Sequence, residues 1–194
     1  MACDLTKGRK EPCKDVVGGL KAVYFIDYGD LGTVTYTDAT NHNYEVSNLS
    51  GAFTAYKYEL KGNSSFEQTI TASRENGTTF FEQTLNLTLK KLTKEDHKEI
   101  KLLAYGRPHV AVEDYNGNVF IMGIEHGADV SGGTIVTGAA MGDLSGYTLT
   151  LSGMERRPAN FLDVASSAES NANYPFDTID ADASDITIVS GTNS

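Results

Sequence analysis

The clearest pattern in the chain is a long alternation of apolar and polar residues from Ser64 to Leu92, SSFEQTITASRENGTTFFEQTLNLTLKKL. A period of two is typical of a β-strand with one buried face. The dipeptide Asn76-Gly77 divides the stretch and favours a type I′ turn, in which both central residues have a positive φ. We therefore predict a long antiparallel ribbon with one apolar face and one polar face. The polar face carries Glu67, Thr69, Thr71, Glu82, Thr84 and Asn86.

Shorter strand patterns lie on both sides of this ribbon. Aromatic and β-branched residues cluster in 19–28 and 52–60, and apolar residues alternate again in 147–155. Asn116-Gly117 indicates the turn of a second hairpin. Strands joined by short turns predict a mainly β fold, either a sandwich or a barrel, with long antiparallel hairpins.

One helix is predicted directly after the ribbon, over about residues 93–105. Thr93 is a typical N-cap residue, and Asp96 stands at the partner position of a capping box. Apolar residues then recur at helical spacing, and Gly106 is a typical end. We expect this short amphipathic helix to flank the β-structure.

The predicted strands divide the chain into three parts. Residues 1–18 show no periodicity and predict an N-terminal arm, and residues 19–162 predict the β-domain. Residues 163–194 are rich in Ser, Ala and Asp and contain six acids but no Lys or Arg. We predict that this acidic tail is weakly ordered or a small addition, in which DASDITIVSG could form one late strand.

Charge and hydropathy narrow the classes of function. The formal net charge is −10, and a negative surface repels phosphate, so tight binding of nucleic acid is not expected. A surface past which nucleic acid slides is compatible with that charge. No apolar run approaches the ~20 residues of a membrane helix, and the N-terminus lacks the apolar core of a secretion signal. We therefore expect no membrane association and no secretion.

Candidate chemistry is sparse along the chain. Glu125, His126 and Asp129 could bind a cation or move a proton, but no further ligand or nucleophile accompanies them, and an ordinary turn histidine is the favoured interpretation. The acids Asp180, Asp182 and Asp185 lack the Gly and the distal Glu of a calcium loop. The sequence therefore predicts no enzyme, no cofactor and no metal site.

The arm and the Gly-rich segment 127–146 are interpreted as assembly contacts. Two thiols with nine residues between them match no zinc or redox spacing, and reduced thiols are favoured over a disulfide that closes the arm. Two glycines form the predicted hinge between the arm and the first strand, and four more lie in a predicted contact loop. These candidate residues are Cys3, Cys13, Gly18, Gly19, Gly132, Gly133, Gly138 and Gly142.

The segment ADVSGGTIVTGAAMGDLSGYTLTLSGMERRPANFL combines a Gly-rich crossing, a final strand and a Pro-Ala-Asn-Phe-Leu exit. It resembles the C-terminal part of tail tube (major tail) proteins of tailed bacteriophages. MACDLTKGRKEPCKDVVGGLKAVYFIDY and SRENGTTFFEQTLNLTLKKLTKED also look like uncharacterised phage virion proteins of this size. The resemblance covers about residues 1–162 and leaves the acidic tail uncovered.

The resemblance implies a β-sandwich-like protomer that assembles into hexameric rings. Such rings stack into a hollow tube around the tape-measure protein, and DNA later passes through the lumen. It further implies a virion protein that assembles in the host bacterial cytoplasm and contacts other tail proteins. We expect the polar face of the ribbon to line the lumen. The alternatives are a head decoration protein, a head–tail connector, or a monomeric ligand-binding β-sandwich.

Overall fold

The computed structural model describes residues 8–11, 13–37, 45–164, 172–179 and 186–191, in which two open sheets pack face to face. The mainly β prediction is confirmed as a sandwich-like fold, and the sheets do not close into a barrel. The strands are β1 (Leu20–Ile26), β2 (Val34–Tyr36), β3 (Val46–Leu49), β4 (Phe53–Glu59), β5 (Ser65–Ser73), β6 (Thr78–Lys90), β7 (His109–Asp114), β8 (Val119–Met122), β9 (Asp129–Val136), β10 (Gly146–Glu155), β11 (Asn160–Phe161) and β12 (Ile186–Ser190).

A six-stranded sheet with the order β11-β8-β7-β1-β4-β12 forms the centre of the molecule. Its inner strands β1 and β7 are buried along almost their whole length. This burial explains why β1 has the run LKAVYFI rather than an alternating pattern, since both of its faces are covered by other elements. The central sheet therefore separates two apolar cores.

The second sheet has the order β5-β6-β10-β9 and covers one face of the central sheet. Leu85 and Leu87 of β6 and Leu149 and Leu151 of β10 are buried in the core between the sheets. The ribbon predicted from the sequence is the β5–β6 hairpin of this sheet. Over the half of the ribbon that packs on the central sheet, the apolar face is thus the inner face.

The turn of this ribbon differs from the prediction. Ser73 pairs with Thr78, so four residues, 74–77, connect β5 and β6 instead of the two residues of a type I′ turn. Gly77 has a φ of 63°, whereas Asn76 is not in the positive-φ region. The side chain of Ser73 accepts a hydrogen bond from the backbone N–H of Asn76 at 3.3 Å and supports the longer turn. The type I′ prediction is therefore wrong, although the hairpin itself is present.

The opposite face of the central sheet is covered by the β2–β3 hairpin and by residues of the C-terminal segment. Phe176 and Ile179 are fully buried there, and β12 pairs in parallel with β4. The Tyr174 hydroxyl donates to the buried carboxylate of Glu113 at 2.9 Å. The prediction of a weakly ordered tail is wrong for 172–179, because Phe176 and Ile179 lie in the core. The late strand considered for DASDITIVSG is present as β12. The remaining residues of 165–194 lie outside the described ones, apart from residue 191.

The single helix in the described residues, α1 (Lys94–Tyr105), matches the predicted range. The Thr93 hydroxyl accepts a hydrogen bond from the N–H of Asp96 at 3.0 Å, as a capping residue should. Ile100 is the helical side chain buried against the inter-sheet core. Within the part of the chain that the structure describes, no helix has the length and apolar character needed to cross a membrane.

His109 at the start of β7 is a buried imidazole whose two hydrogen bonds select one tautomer of the neutral ring. Its Nδ1–H donates to the carbonyl of Gly123 at 2.6 Å, and its Nε2 accepts from the N–H of Gly29 at 3.0 Å. The ring of Tyr28 stacks on it with a centroid separation of 5.0 Å. A proton on Nε2 would point at the N–H of Gly29, so this environment disfavours the charged ring. Burial therefore lowers the pKa of His109 below its ordinary value of 6.5.

This environment predicts that His109 makes stability depend on pH. The unfolded chain binds more protons than the folded chain between the lowered pKa of His109 and 6.5, so stability falls as the pH falls through this window. We expect the thermal midpoint of the wild type to drop more steeply from about pH 7 to about pH 5 than that of His109→Gln. His97→Gln changes a histidine outside this buried site and should keep the wild-type slope. Equal slopes in all three proteins would contradict the assignment.

Candidate assembly surface

The outer face of the four-stranded sheet is polar because every second residue of its strands points away from the core. Glu67 pairs with Thr84, and Thr69 pairs with Glu82, so both pairs project from the same side. The register of the hairpin therefore places the predicted polar residues on one face. The set on this face comprises Glu67, Thr69, Thr71, Glu82, Thr84 and Asn86.

Strands β9 and β10 extend this face with further hydroxyl groups. The Thr150 hydroxyl donates to the side-chain oxygen of Asn86 at 2.9 Å, and the hydroxyls of Thr134 and Thr148 are 2.6 Å apart. Sequence reasoning assigned β10 to the sheet but did not place its threonines beside those of β6. The sequence does not show that β6 and β10 are neighbours, because α1, β7, β8 and β9 lie between them along the chain.

Two large apolar side chains interrupt this polar face at the far end of the ribbon. Met154 lies opposite Glu82 and has 59% of its surface exposed. Phe80 lies opposite Thr71 and is half-buried. On the inner side of the same end, Ile70 is 66% exposed because the ribbon extends beyond the body. This end therefore offers apolar contact area, unlike the threonine-rich middle of the sheet.

Both edges of the four-stranded sheet are open among the described residues. β5 pairs with β6 alone, and β9 pairs with β10 alone, which leaves one unpaired row of backbone N–H and C=O groups on each edge. The edges are 9 and 8 residues long. Long unpaired edges are templates for pairing with another chain.

Gly132 and Gly133 lie in β9, so the prediction that they belong to a contact loop is wrong. A Cβ atom at Gly133 would stand 2.4 Å from the carbonyl oxygen of Thr148, a distance that no real side chain tolerates. Glycine therefore permits the close approach of β9 to β10. The strand contains one register shift, near Thr150 and Leu151, where β9 has an extra residue.

Gly138 and Gly142 do lie in a loop, which connects β9 to β10. The carboxylate of Asp143 accepts hydrogen bonds from the N–H groups of Ala139 at 2.9 Å and Ala140 at 2.7 Å. The bonds from Ala140 and Ala139 hold the pKa of Asp143 below its usual value. Met141 at the tip is fully exposed. This loop thus presents an apolar tip on a base held by its own hydrogen bonds.

Among the described residues of the arm, Val17 is hydrogen-bonded to the body. The side chain of Asn116 accepts from the N–H of Val17 at 3.0 Å and donates to its carbonyl at 2.7 Å. Gly19 has a φ of 109°, and a Cβ there would lie 3.1 Å from the ring of Tyr115, whereas Gly18 has open space around it. Cys13 is an exposed free thiol, and Cys3 lies outside the described residues. Of the two glycines in the predicted hinge, Gly19 therefore has little room for a side chain, whereas Gly18 has open space.

The histidine considered as a cation ligand lies in an ion-pair cluster. The structure brings Glu155 rather than Asp129 beside Glu125 and His126. Glu155 accepts from the N–H groups of Glu125 at 3.0 Å and His126 at 2.8 Å, and its burial raises the pKa of its carboxyl group. Arg156 and Arg157 approach the carboxylate of Glu125 at 3.2 and 3.7 Å. Two guanidinium groups at this distance oppose a bound cation.

The structure thus offers three candidate surfaces for contact with other proteins: the outer face of the four-stranded sheet, its two open edges and the arm. No protein-family model, curated protein or solved structure matches the chain.

Proposed function

We propose that this chain is a structural protein that closes into rings through the edges of its four-stranded sheet, and that the rings stack into a phage tail tube. The observation that carries the proposal is the sheet β5-β6-β10-β9, with a buried inner face, a hydroxyl and carboxylate outer face, and two unpaired edges. The resemblance of segments within about residues 1–162 to tail tube proteins agrees with it.

The two edges belong to different strands, so pairing is heterologous: β5 of one copy pairs with β9 of the next. Heterologous contacts form closed rings when the rotation between copies divides a full turn. Six copies of a four-stranded sheet would form a barrel of about 24 strands. With strands ~4.8 Å apart and tilted ~40°, such a barrel is roughly 50 Å across. A channel of this width accommodates duplex DNA.

The inner face of each sheet is already packed on its own central sheet, so the polar face would line the channel. Glu67 and Glu82 are diagonal neighbours on this face. Their carboxylates repel phosphate. A lumen of this chemistry lets DNA move without binding to the wall.

A single proline at the β9 edge tests ring closure. The N–H of Thr134 points towards β10, where it donates to the Thr148 hydroxyl. Successive N–H groups of a strand point to opposite sides, so the N–H of Ile135 faces the open edge. We expect Ile135→Pro to remove an inter-subunit hydrogen bond, add a steric block, and convert rings and tubes into folded monomers. Negative-stain microscopy and sedimentation velocity of the purified proteins measure whether they form rings, tubes or monomers.

Ile135→Ala is the matched control, because it shortens the same exposed side chain and keeps the N–H group. It should still form rings. A wild type that remains a featureless monomer would overturn the ring proposal and favour a ligand-binding β-sandwich. Assembly of Ile135→Pro into normal tubes would show that β9 is not the ring interface.

A further inference from the structure

An open groove lies at the end of β1, between α1 and the central sheet. Its volume is about 300 Å³. Tyr28 and Tyr56 are each 41% exposed and Leu102 is 55% exposed, so the groove presents apolar and aromatic surface to solvent. None of these side chains is needed by the ring interface proposed above. The groove is therefore a separate candidate for contact.

The groove has the chemistry to receive a basic segment. Asp27 and Glu99 lie in its lining, together with the hydroxyl-bearing rings of three tyrosines. The guanidinium of Arg107 lies 3.9 Å from the ring centroid of Tyr28, so a cation already stacks on one of these tyrosines. Tyr56 and Tyr58 offer further aromatic surface for a second cation.

The arm has a net positive charge, whereas the rest of the chain taken together is strongly acidic. Residues 1–18 contain four bases and three acids and are net +1, whereas the remainder is net −11. The described residues 8–11 and 13–18 are exposed and form no helix or strand. Val16 and Val17 are 72% and 61% exposed. The arm thus combines positive charge with apolar side chains that its own chain leaves uncovered.

The arm and the groove lie at opposite ends of the same strand. Gly19 and Asn116 hold the root of the arm at the start of β1, and the groove begins directly after Ile26, where β1 ends. Seven residues at ~3.3 Å each separate the two by about 23 Å. Each copy would thus have an arm at one end and a groove that receives an arm at the other. Such copies bind head to tail, and the chain of copies can grow without closing.

We propose that the groove beside α1 receives the N-terminal arm of a second copy in the adjacent ring. This inference rests on the proposed ring assembly and assigns the contact that stacks the rings. Arg9, Lys10 and Lys14 face Asp27, Glu99 and the tyrosine rings, and the arm covers the exposed Leu102. Ring closure through β5 and β9 and stacking through the arm are therefore two separable interactions.

Cross-linking between two versions of the full chain tests this contact. The donor version is Cys3→Ser and keeps its native Cys13. The acceptor version is Cys3→Ser/Cys13→Ser/Leu102→Cys, with its introduced thiol at an exposed position in the groove. Because each version has one thiol, and a tag on the acceptor separates the two by mass, a link from Cys13 to the groove thiol is always intermolecular. We expect a short bis-maleimide to give the covalent heterodimer in high yield.

Two control acceptors set the background. Thr79→Cys places the thiol at the exposed end of the ribbon instead of the groove, and it should give at least about tenfold less heterodimer. Glu99→Lys added to the Leu102→Cys acceptor should lower the yield several-fold, because it reverses a charge that attracts the arm.

Heterodimer yield no greater than that of the Thr79→Cys acceptor would overturn the arm–groove contact. Equal yields with and without Glu99→Lys would contradict the charge pairing on which it rests. Microscopy of the same samples separates the two proposals. Tubes without a link between Cys13 and the groove thiol reject the groove and leave the tube function standing. A link in a preparation that forms no rings supports the groove and counts against the tube.

Discussion

Replacement of Phe176 by alanine is expected to destabilise the fold by about 3–5 kcal/mol, the usual cost of removing a buried phenylalanine. Its side chain is fully buried and contacts the rings of Tyr24 at 5.7 Å and Phe53 at 5.3 Å, both in edge-to-face geometry. The cavity would lie between the central sheet and the C-terminal segment. Thermal unfolding should show a midpoint lower by on the order of 10 °C.

Tyr105→Ala is the matched control for Phe176→Ala, because it removes an aromatic ring that is 82% exposed at the end of α1. Its midpoint should stay near that of the wild type, as expected for a surface substitution of about 0.5 kcal/mol or less. If both variants unfolded at the wild-type temperature, the C-terminal segment would not be part of the core.

The C-terminal segment also shows where sequence reasoning fails. Phe176 and Ile179 stand among Asn, Asp, Thr and Pro, so neither alternation nor helical spacing marks them, whereas Ile186 lies in the segment that indicated a late strand. Their partners lie far earlier in the chain, and β12 joins β4 in parallel. Local composition is a poor guide to burial when the covering surface is supplied by a distant part of the chain.

The ribbon, α1 and β10 were predictable because their signals are local. Alternation fixes which residues of β6 share a face, and the N-cap at Thr93 fixes where the helix begins. The polar face followed from the same period, although the exact pairing did not. The predicted two-residue turn would place Glu67 opposite Asn86, whereas the four-residue turn places it opposite Thr84. A shift of two residues keeps the same side chains on the same face.

Strand β9 and the cluster at Glu125 were not predictable from local pattern. Glycine lowers strand propensity, so Gly132 and Gly133 indicated a loop, whereas the close approach to β10 requires a residue without a side chain at 133. Glu155 reaches Glu125 and His126 from the end of β10. Only the sheet order brings them together.

Charge reversal of Glu67 and Glu82 to lysine is expected to make the proposed tube bind DNA. The two carboxylates are diagonal neighbours on the outer face of the β5–β6 hairpin, a separation of ~7–8 Å between Cα atoms. In a six-membered ring, both substitutions would replace the negative charges at every copy of these positions around the channel with positive ones. The inner face and both sheet edges are unchanged, so rings and tubes should still form.

The predicted measurement is DNA retention by purified tubes as a function of salt. Wild-type tubes should retain no DNA, whereas Glu67→Lys/Glu82→Lys tubes should retain it at low salt and release it steeply as salt rises, because each phosphate contact releases a counterion. Glu45→Lys/Glu95→Lys makes the same change in net charge at exposed positions outside the strands of this sheet, and it should behave like the wild type. Equal retention by the two double variants would place Glu67 and Glu82 outside the channel. Loss of assembly in the first variant alone would instead make these carboxylates part of a subunit interface.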